Sequence, residues 1–203
     1  MKYKILAIVF SMVFGSSAQA QVGSWSGYYF GVSATSSNMT VEDLSFDMGA
    51  FEPGGFSSGG FTGMNHQISG LVLGAEAGFE GANISGRDGA NMDPFRANSQ
   101  LSFRGRVGVD AGKAMPYFSV GYVASRFEAD HDGNGANIAN FTASGISYGI
   151  GVDLQVNRSN TRFVRVEYQA TDYSDGVFQF GGADDHDVLA SSQRVSVGYG
   201  ISF

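Results

Sequence analysis

Charged residues in this sequence stand inside short segments that otherwise alternate between apolar residues and glycine or serine. Each charge falls on the same alternating face as the small residues, which in a β-strand is one side of the sheet. Acids and arginines occur in similar numbers, so the pattern indicates ion pairing in an enclosed space. The predicted set consists of Glu76, Arg104, Arg106, Asp153, Arg165, Glu167 and Arg194, with Glu80 as a further candidate.

Two functions are open for these charges if they line a narrow barrel. Paired charges would fill the lumen, because eight strands enclose little more space than their own side chains need. Unpaired charges would instead line an ion path. The balance of signs favours the first interpretation, which we call a plugged lumen. Removing one partner would then leave a buried charge, at a cost of about 3–5 kcal/mol.

Two acidic segments contain part of a known motif. The first, Asp130-His-Asp-Gly-Asn-Gly135, begins like a calcium loop but has Phe141 where the twelfth ligand should be glutamate. The second, Asp184-Asp-His-Asp187, contains an Asp–His pair, but the strands carry no serine–histidine–acid arrangement. We therefore predict no catalytic residue, no metal site and no cofactor, and leave open a weak surface calcium site.

Apolar residues also occur in a polar segment, which we predict to be a long loop spanning residues 36–57. Exposed apolar side chains on a loop form either an adhesive surface or a lid over the barrel mouth. The two interpretations are equally supported. The residues are Phe46, Met48, Phe51 and Phe56.

Alternation with a period of two recurs along the chain and predicts eight strands. Their links alternate in length, so one end of an even-stranded barrel would carry all the long loops and the other all the tight turns. Outer-membrane barrels have this asymmetry, so we expect the long loops outside the cell and the short turns in the periplasm. The long links are 36–57, 83–99, 129–141 and 174–188. The predicted strands are Trp25–Thr35, Ser58–Gln67, Leu71–Ala82, Gln100–Ala111, Pro116–Glu128, Thr142–Val156, Thr161–Tyr173 and Leu189–Phe203.

The N-terminus has the features of a secretory signal peptide. Lys2 and Lys4 precede an apolar run that is too short to span a membrane, and Ala18-Gln-Ala20 supplies a cleavage site. We predict a signal peptide at 1–20 and one domain at 21–203. Cleavage would change the net charge from −7 to −9, because it removes two basic residues. An acidic chain without a basic cluster argues against nucleic acid, and a chain without cysteine has neither disulfides nor a lipoprotein anchor.

The composition of the two faces decides between a membrane barrel and a soluble one. A soluble barrel of the lipocalin type would turn the apolar stripe inward and leave glycine, serine and single charges facing water. Soluble surfaces are rich in Lys and Glu instead, whereas glycine suits a crowded lumen. The pattern therefore favours an apolar stripe facing lipid. Aromatic residues near the strand ends fit two interfacial girdles: Tyr28, Phe103, Tyr122, Tyr168, Tyr173 and Phe203.

Several stretches carry a resemblance to a known family, in order along the whole mature chain. They are Trp25-Ser-Gly-Tyr-Tyr-Phe-Gly31, Gly60-Phe-Thr-Gly-Met-Asn-His-Gln67, Val72-Leu-Gly-Ala-Glu-Ala77, Arg104-Gly-Arg-Val-Gly108, Pro116-Tyr-Phe-Ser-Val-Gly-Tyr-Val-Ala124, Arg165-Val-Glu-Tyr168 and the terminal Phe203. The chain resembles the small eight-stranded outer-membrane β-barrels of porin-like and opacity-type surface proteins, related in architecture to the OmpA and OmpX barrels. His66 replaces the family's usual aromatic residue.

The resemblance implies an all-β, eight-stranded, antiparallel up-and-down transmembrane barrel in the bacterial outer membrane. The resemblance is unspecific for activity, and we expect a structural and surface-contact role without enzymatic activity. Alternatives are a narrow channel, a barrel that binds a small ligand such as haem, and an outer-membrane enzyme. Expected partners are outer-membrane lipid and lipopolysaccharide, the latter through divalent cations held by loop acids. Further expectations are surface partners at the loops, no nucleic acid and a monomeric state.

The resemblance further implies an assembly signal in the last strand. In the resembling family the barrel assembly machinery recognises a terminal aromatic residue and the alternating apolar residues before it. In this chain these are Val197, Tyr199, Ile201 and Phe203.

Overall fold

The computed structural model describes residues 25–43, 54–87, 94–130, 138–178 and 186–203. The predicted signal peptide at 1–20 lies outside these ranges, as do the middle parts of all four predicted long links. Eight strands occupy the described chain: β1 Gly27–Asp43, β2 Gly54–Ile68, β3 Leu71–Arg87, β4 Pro94–Val109, β5 Ala114–Asp130, β6 Ile138–Gln155, β7 Arg162–Phe178 and β8 His186–Ser202.

The strands form one closed antiparallel barrel in sequence order, in which β8 pairs with β1. The predicted fold class is therefore confirmed. Closure leaves no free sheet edge, which a backbone in lipid requires because every peptide group must find a partner there. Among the described residues, no helix is long and apolar enough to cross a membrane.

The register sets the tilt of the strands. Following paired residues from Asn65 once around the barrel leads back to β2 at Gly55, a stagger of ten residues. That stagger over eight strands corresponds to a tilt of about 40°. A tilted strand of 17 residues, such as β1, then rises roughly 40 Å, which exceeds the ~25 Å apolar band of such barrels. The barrel therefore extends beyond the membrane.

The extension is at the end that carries the long links, which we call the loop end; the opposite end is the turn end. The predicted strand limits at the loop end were wrong, because six strands continue well into segments interpreted as loops. β1 reaches Asp43 and β2 begins at Gly54. Beyond the lipid the outward face of a strand meets water instead of acyl chains, so the apolar alternation stops while the backbone pairing continues.

The faces alternate as expected along the membrane-spanning part of each strand. On β3, Leu71, Leu73 and Phe79 point outward and are exposed, whereas Val72 and Glu76 are buried inside. One girdle assignment was wrong: Tyr173 points into the barrel, where its hydroxyl lies 3.1 Å from Ser125 Oγ. The inward side chains that precede Tyr173 on β7 are polar. The sequence therefore favours an outward position for its aromatic ring.

Two inward glycines make room for aromatic rings in the lumen. A Cβ atom at Gly200 would lie 2.2 Å from the ring of Phe163, and one at Gly31 would lie 2.3 Å from the ring of Phe61. These rings therefore occupy the space that side chains on neighbouring strands would otherwise take.

Candidate functional site: the charged lumen

The seven predicted lumen charges come together inside the barrel. Glu76 lies on β3, both Arg104 and Arg106 on β4, and the others on β6, β7 and β8, all at inward-facing positions. Glu80 joins them from β3. We call this set of eight the lumen charge network: Glu76, Glu80, Arg104, Arg106, Asp153, Arg165, Glu167 and Arg194.

Glu76 is the centre of the network, and its side chain is fully buried. Its Oε1 accepts hydrogen bonds from Arg104 Nε at 2.8 Å and from Arg104 Nη2. Its Oε2 accepts from Arg165 Nη1 at 2.6 Å, from Arg106 Nη1 at 3.1 Å and from the Tyr29 hydroxyl at 2.7 Å. These donors come from β1, β4 and β7, so three strands of the barrel wall hold the carboxylate in one place.

Asp153 forms a second centre nearer the turn end. Arg165 binds it with two parallel hydrogen bonds, from Nε to Oδ1 at 2.7 Å and from Nη2 to Oδ2 at 2.9 Å. Arg106 Nη2 donates to the same Oδ2 at 2.7 Å. Because Arg106 and Arg165 also bind Glu76, the two acids and two arginines form one continuous group across the lumen.

Two further pairs continue the network toward the loop end. Arg104 Nη1 donates to Glu167 Oε1 at 2.8 Å. Arg194 Nη1 donates to Glu80 Oε2 at 2.9 Å, and its Nη2 donates to Gln169. The network thus contains four acids and four arginines, so its formal charges cancel. This balance is what allows so many charges to be buried together.

Aromatic rings surround the arginines. The Arg106 guanidinium carbon lies 3.8 Å from the ring centre of Tyr117, and that of Arg165 lies 4.3 Å from the ring centre of Phe61. Both distances suit cation–π attraction. Sequence analysis missed Phe61 and Tyr117, and also Tyr29 and Phe163 beside them. Tyr29 alternates with Gly27 and Gly31, so its position on the inner stripe was the available signal.

An apolar cluster lies at the turn end of the lumen, beneath the charges. It consists of Trp25, Val72, Met115 and Tyr117, all buried. It lies between the charge network and the turn end, and it gives that part of the lumen an apolar rather than a charged lining.

A small cavity remains between the two ends of the network. Its volume is about 30 Å³, and its walls include Arg104, Glu167, Glu80 and Arg194. That volume holds about two water molecules. The charged lining suits water better than an apolar guest.

The two acidic motifs lie largely outside the part of the chain that the structure describes. Residues 131–137 and 179–185 lie outside the described ranges, and at their borders only the backbone is described, for example at Asp130 in β5 and at His186 in β8. Of the residues in the predicted first loop, Phe46, Met48 and Phe51 also lie outside, while Phe56 stands on β2 and faces outward. Among the described residues, no three histidine or acidic side chains are grouped to hold a metal ion.

The four residues of the predicted assembly signal lie at the seam between β8 and β1. Val197, Tyr199 and Phe203 are exposed on the outer face, and Ile201 is half-buried. The ring of Phe203 lies 6.3 Å from that of Tyr28 and 6.1 Å from that of Phe30. The terminal aromatic residue therefore contacts the first strand as well as facing lipid.

The geometry defines a transmembrane β-barrel with an apolar outer belt and a charged interior. Comparison with known families agrees: residues 6–203 match the family described as the outer membrane protein beta-barrel domain. The chain belongs to this family, and it is an outer-membrane protein. The resemblance inferred from the sequence is confirmed.

Individual relatives carry names of the same kind. The chain is 30% identical over 145 residues to the 25 kDa outer-membrane immunogenic protein of Brucella canis, covering 70% of this chain and 62% of that protein. It is 29% identical over 190 residues to the 22 kDa outer membrane protein of Rhizobium leguminosarum bv. viciae, covering 89% and 79% respectively. Among solved structures, Neisserial surface protein A is similar in fold, with a TM-score of 0.57, 16% identity, and coverage of 88% of this chain and 98% of that one.

Proposed function

We propose that this protein is a structural component of the outer membrane that makes surface contacts through its loop end and does not conduct. The observation that carries the proposal is the lumen charge network. Its paired acids and arginines join β3, β4, β6, β7 and β8 across the interior. A charge that is paired in this way neither attracts a passing ion nor leaves space for it.

The apolar cluster at the turn end supports the same proposal, because it would block a polar solute even if the network rearranged. We propose that the barrel acts as a rigid support for the loops. Its partners would be membrane lipid and lipopolysaccharide, with divalent cations bound between loop acids and lipid phosphates. We further propose that it acts as a monomer and has no catalytic role.

The alternative functions are weaker on physical grounds. A cavity of about 30 Å³ is far smaller than the several hundred cubic ångströms that typical ligand pockets enclose. Haem would therefore not fit in this cavity and would need another site. A narrow channel would need a path past the Glu80–Arg194 pair, the Glu76 group and the apolar cluster.

Permeability measurements on cells separate the structural proposal from a channel. A strain that lacks the protein should take up an apolar fluorescent dye faster than its parent, because the outer membrane has lost a stabilising component. Uptake of small polar solutes should not change. Slower solute uptake in the deletion strain, restored by the wild-type gene, would contradict the proposal and favour a channel.

A further inference from the structure

The charges outside the lumen are distributed unevenly between the two ends of the barrel. The four sequence segments at the loop end, 36–57, 83–99, 126–141 and 172–188, contain fourteen acidic residues and three basic ones. At the turn end the sign is reversed. Outside the lumen, the described turn end has three basic residues, Lys113, Arg158 and Arg162, and one acid, Asp110.

The three basic side chains are exposed, whereas Asp110 is half-buried and already engaged. Asp110 Oδ2 accepts a hydrogen bond from Gln67 Nε2 at 2.7 Å, and its Oδ1 accepts one from the Gly112 amide at 2.9 Å. Within the described chain none of the three cations has an ion-pair partner. We call Lys113, Arg158 and Arg162 the basic turn patch.

Backbone hydrogen bonds hold the three residues on neighbouring parts of the rim. The Gln155 amide donates to the Lys113 carbonyl at 2.8 Å, and the next amide, of Val156, donates to the Arg162 carbonyl at 2.9 Å. The patch therefore follows β5, β6 and β7 in order around the turn end.

The turn between β6 and β7 is also fixed by its own side chains. Asn157 Oδ1 accepts from the Arg162 amide at 3.0 Å, and Asn157 Nδ2 donates to Thr161 Oγ1 at 2.9 Å. Asn160 has a φ of 56°, the left-handed conformation that asparagine tolerates. Arg158 and Arg162 thus project from a rigid support.

The height of the patch places it at the edge of the lipid. Arg162 pairs with Ile201 at the start of β7, beside the exposed outward side chains of Leu154 and Val156. It is the first outward residue of β7 at the turn end, where the apolar belt stops. A long basic side chain at this level reaches the headgroup layer while its methylene groups contact acyl chains.

We propose that the basic turn patch binds the headgroups of anionic phospholipids in the inner leaflet of the outer membrane. Three unpaired cations on a rigid rim are opposite in charge to phosphate groups. They lie at the level of the lipid headgroups. The sequence segments at the loop end, with their excess of acids, carry the opposite net charge. The contact would fix the depth and orientation of the barrel in the bilayer, and it is independent of whether the lumen conducts.

Native mass spectrometry of the refolded barrel in neutral detergent tests this proposal, with phosphatidylglycerol and phosphatidylcholine as probes. The wild-type barrel should bind phosphatidylglycerol at least fivefold more tightly, the preference that one interfacial cation provides. Added salt should reduce the preference. The triple variant Lys113→Gln/Arg158→Gln/Arg162→Gln should lose it. Arg126→Gln, which removes an exposed cation at the loop end, should keep it.

Folding of each variant is checked by the change in gel migration on boiling. If the triple variant does not fold, the single variant Arg158→Gln, at an exposed turn position, replaces it in the lipid-binding measurement. An unchanged lipid preference in a folded triple variant would overturn the proposal. So would tighter binding of a peptidoglycan fragment, which carries carboxylates without phosphate, if that binding is what the triple variant loses.

Discussion

Glu76 and Arg165 stand 89 residues apart in the sequence, yet Arg165 Nη1 lies 2.6 Å from Glu76 Oε2 in the middle of the lumen. The two residues belong to β3 and β7, which are not neighbours in the barrel. Backbone hydrogen bonds join each strand only to the next one. The ion pair therefore adds a connection across the barrel that the sheet alone cannot supply.

Loss of the Glu76 charge should destabilise the barrel strongly. Glu76→Gln preserves the size of the side chain but leaves three buried arginines with too few acids. We expect the free energy of unfolding to fall by about 3–5 kcal/mol, measured by urea unfolding in lipid vesicles. Asp172→Asn, at an exposed site on β7, is the matched control and should change it by less than 1 kcal/mol. Equal effects would contradict the role of the network.

The Tyr29 hydroxyl should contribute a smaller amount. It donates to Glu76 Oε2 at 2.7 Å and accepts from Arg106 Nη1 at 2.8 Å. Tyr29→Phe should lower the free energy of unfolding by about 1–3 kcal/mol, because Glu76 Oε2 and Arg106 Nη1 each lose one buried, charge-assisted hydrogen bond. Tyr148→Phe, which removes a hydroxyl from the exposed outer face, should have almost no effect in the same assay. A tolerated Tyr29→Phe would mean that water replaces the hydroxyl.

Gly27 should be required where the barrel closes. Its φ is 131°, and a Cβ atom there would lie 2.7 Å from the Phe203 carbonyl oxygen. Gly27→Ala should therefore cost about 1–3 kcal/mol of stability and slow the refolding monitored by gel migration. Gly70→Ala is the control, because no atom lies within 4 Å of the added methyl group. If both variants refold alike, the seam tolerates a side chain at position 27.

Phe203 should matter more for assembly in cells than for stability. Its side chain is 61% exposed, so Phe203→Ala removes little beyond the aromatic contacts with Tyr28 and Phe30. We expect about 1 kcal/mol of lost stability but accumulation of unfolded protein in the periplasm. Phe118→Ala, at another exposed position of the belt, should insert normally. Similar insertion defects in the two variants would reduce Phe203 to a packing residue.

The sequence was sufficient to predict which residues face inward where one face of a strand meets lipid and the other meets the lumen, because the two faces then differ in chemistry. That contrast marked the inward position of every member of the lumen charge network, including Arg165 and Glu76. It failed at the loop end, where Gly54-Gly-Phe-Ser57 was predicted as part of a loop but belongs to β2. There the strand continues because its neighbouring strands supply backbone hydrogen bonds. The amino-acid composition of the segment does not indicate such pairing.

The partners within the network could not be predicted, because pairing across a lumen depends on the stagger of the strands. Arg106 binds Asp153 on β6, a contact that requires the closed barrel and its stagger of ten residues. The aromatic lining was missed for a related reason. Alternation shows which face a residue takes, but not that an inward ring such as Phe61 fills the space left by glycine on the next strand.

Conductance of the refolded wild-type barrel in planar lipid bilayers tests the plugged lumen most directly. We predict at most small, irregular current steps, because both the lumen charge network and the apolar cluster at Trp25 and Met115 close the path. Glu80→Gln/Arg194→Gln removes one balanced pair above the cavity and should not open a pore. A large, steady current that rises linearly with voltage in the wild-type protein would contradict the plugged lumen.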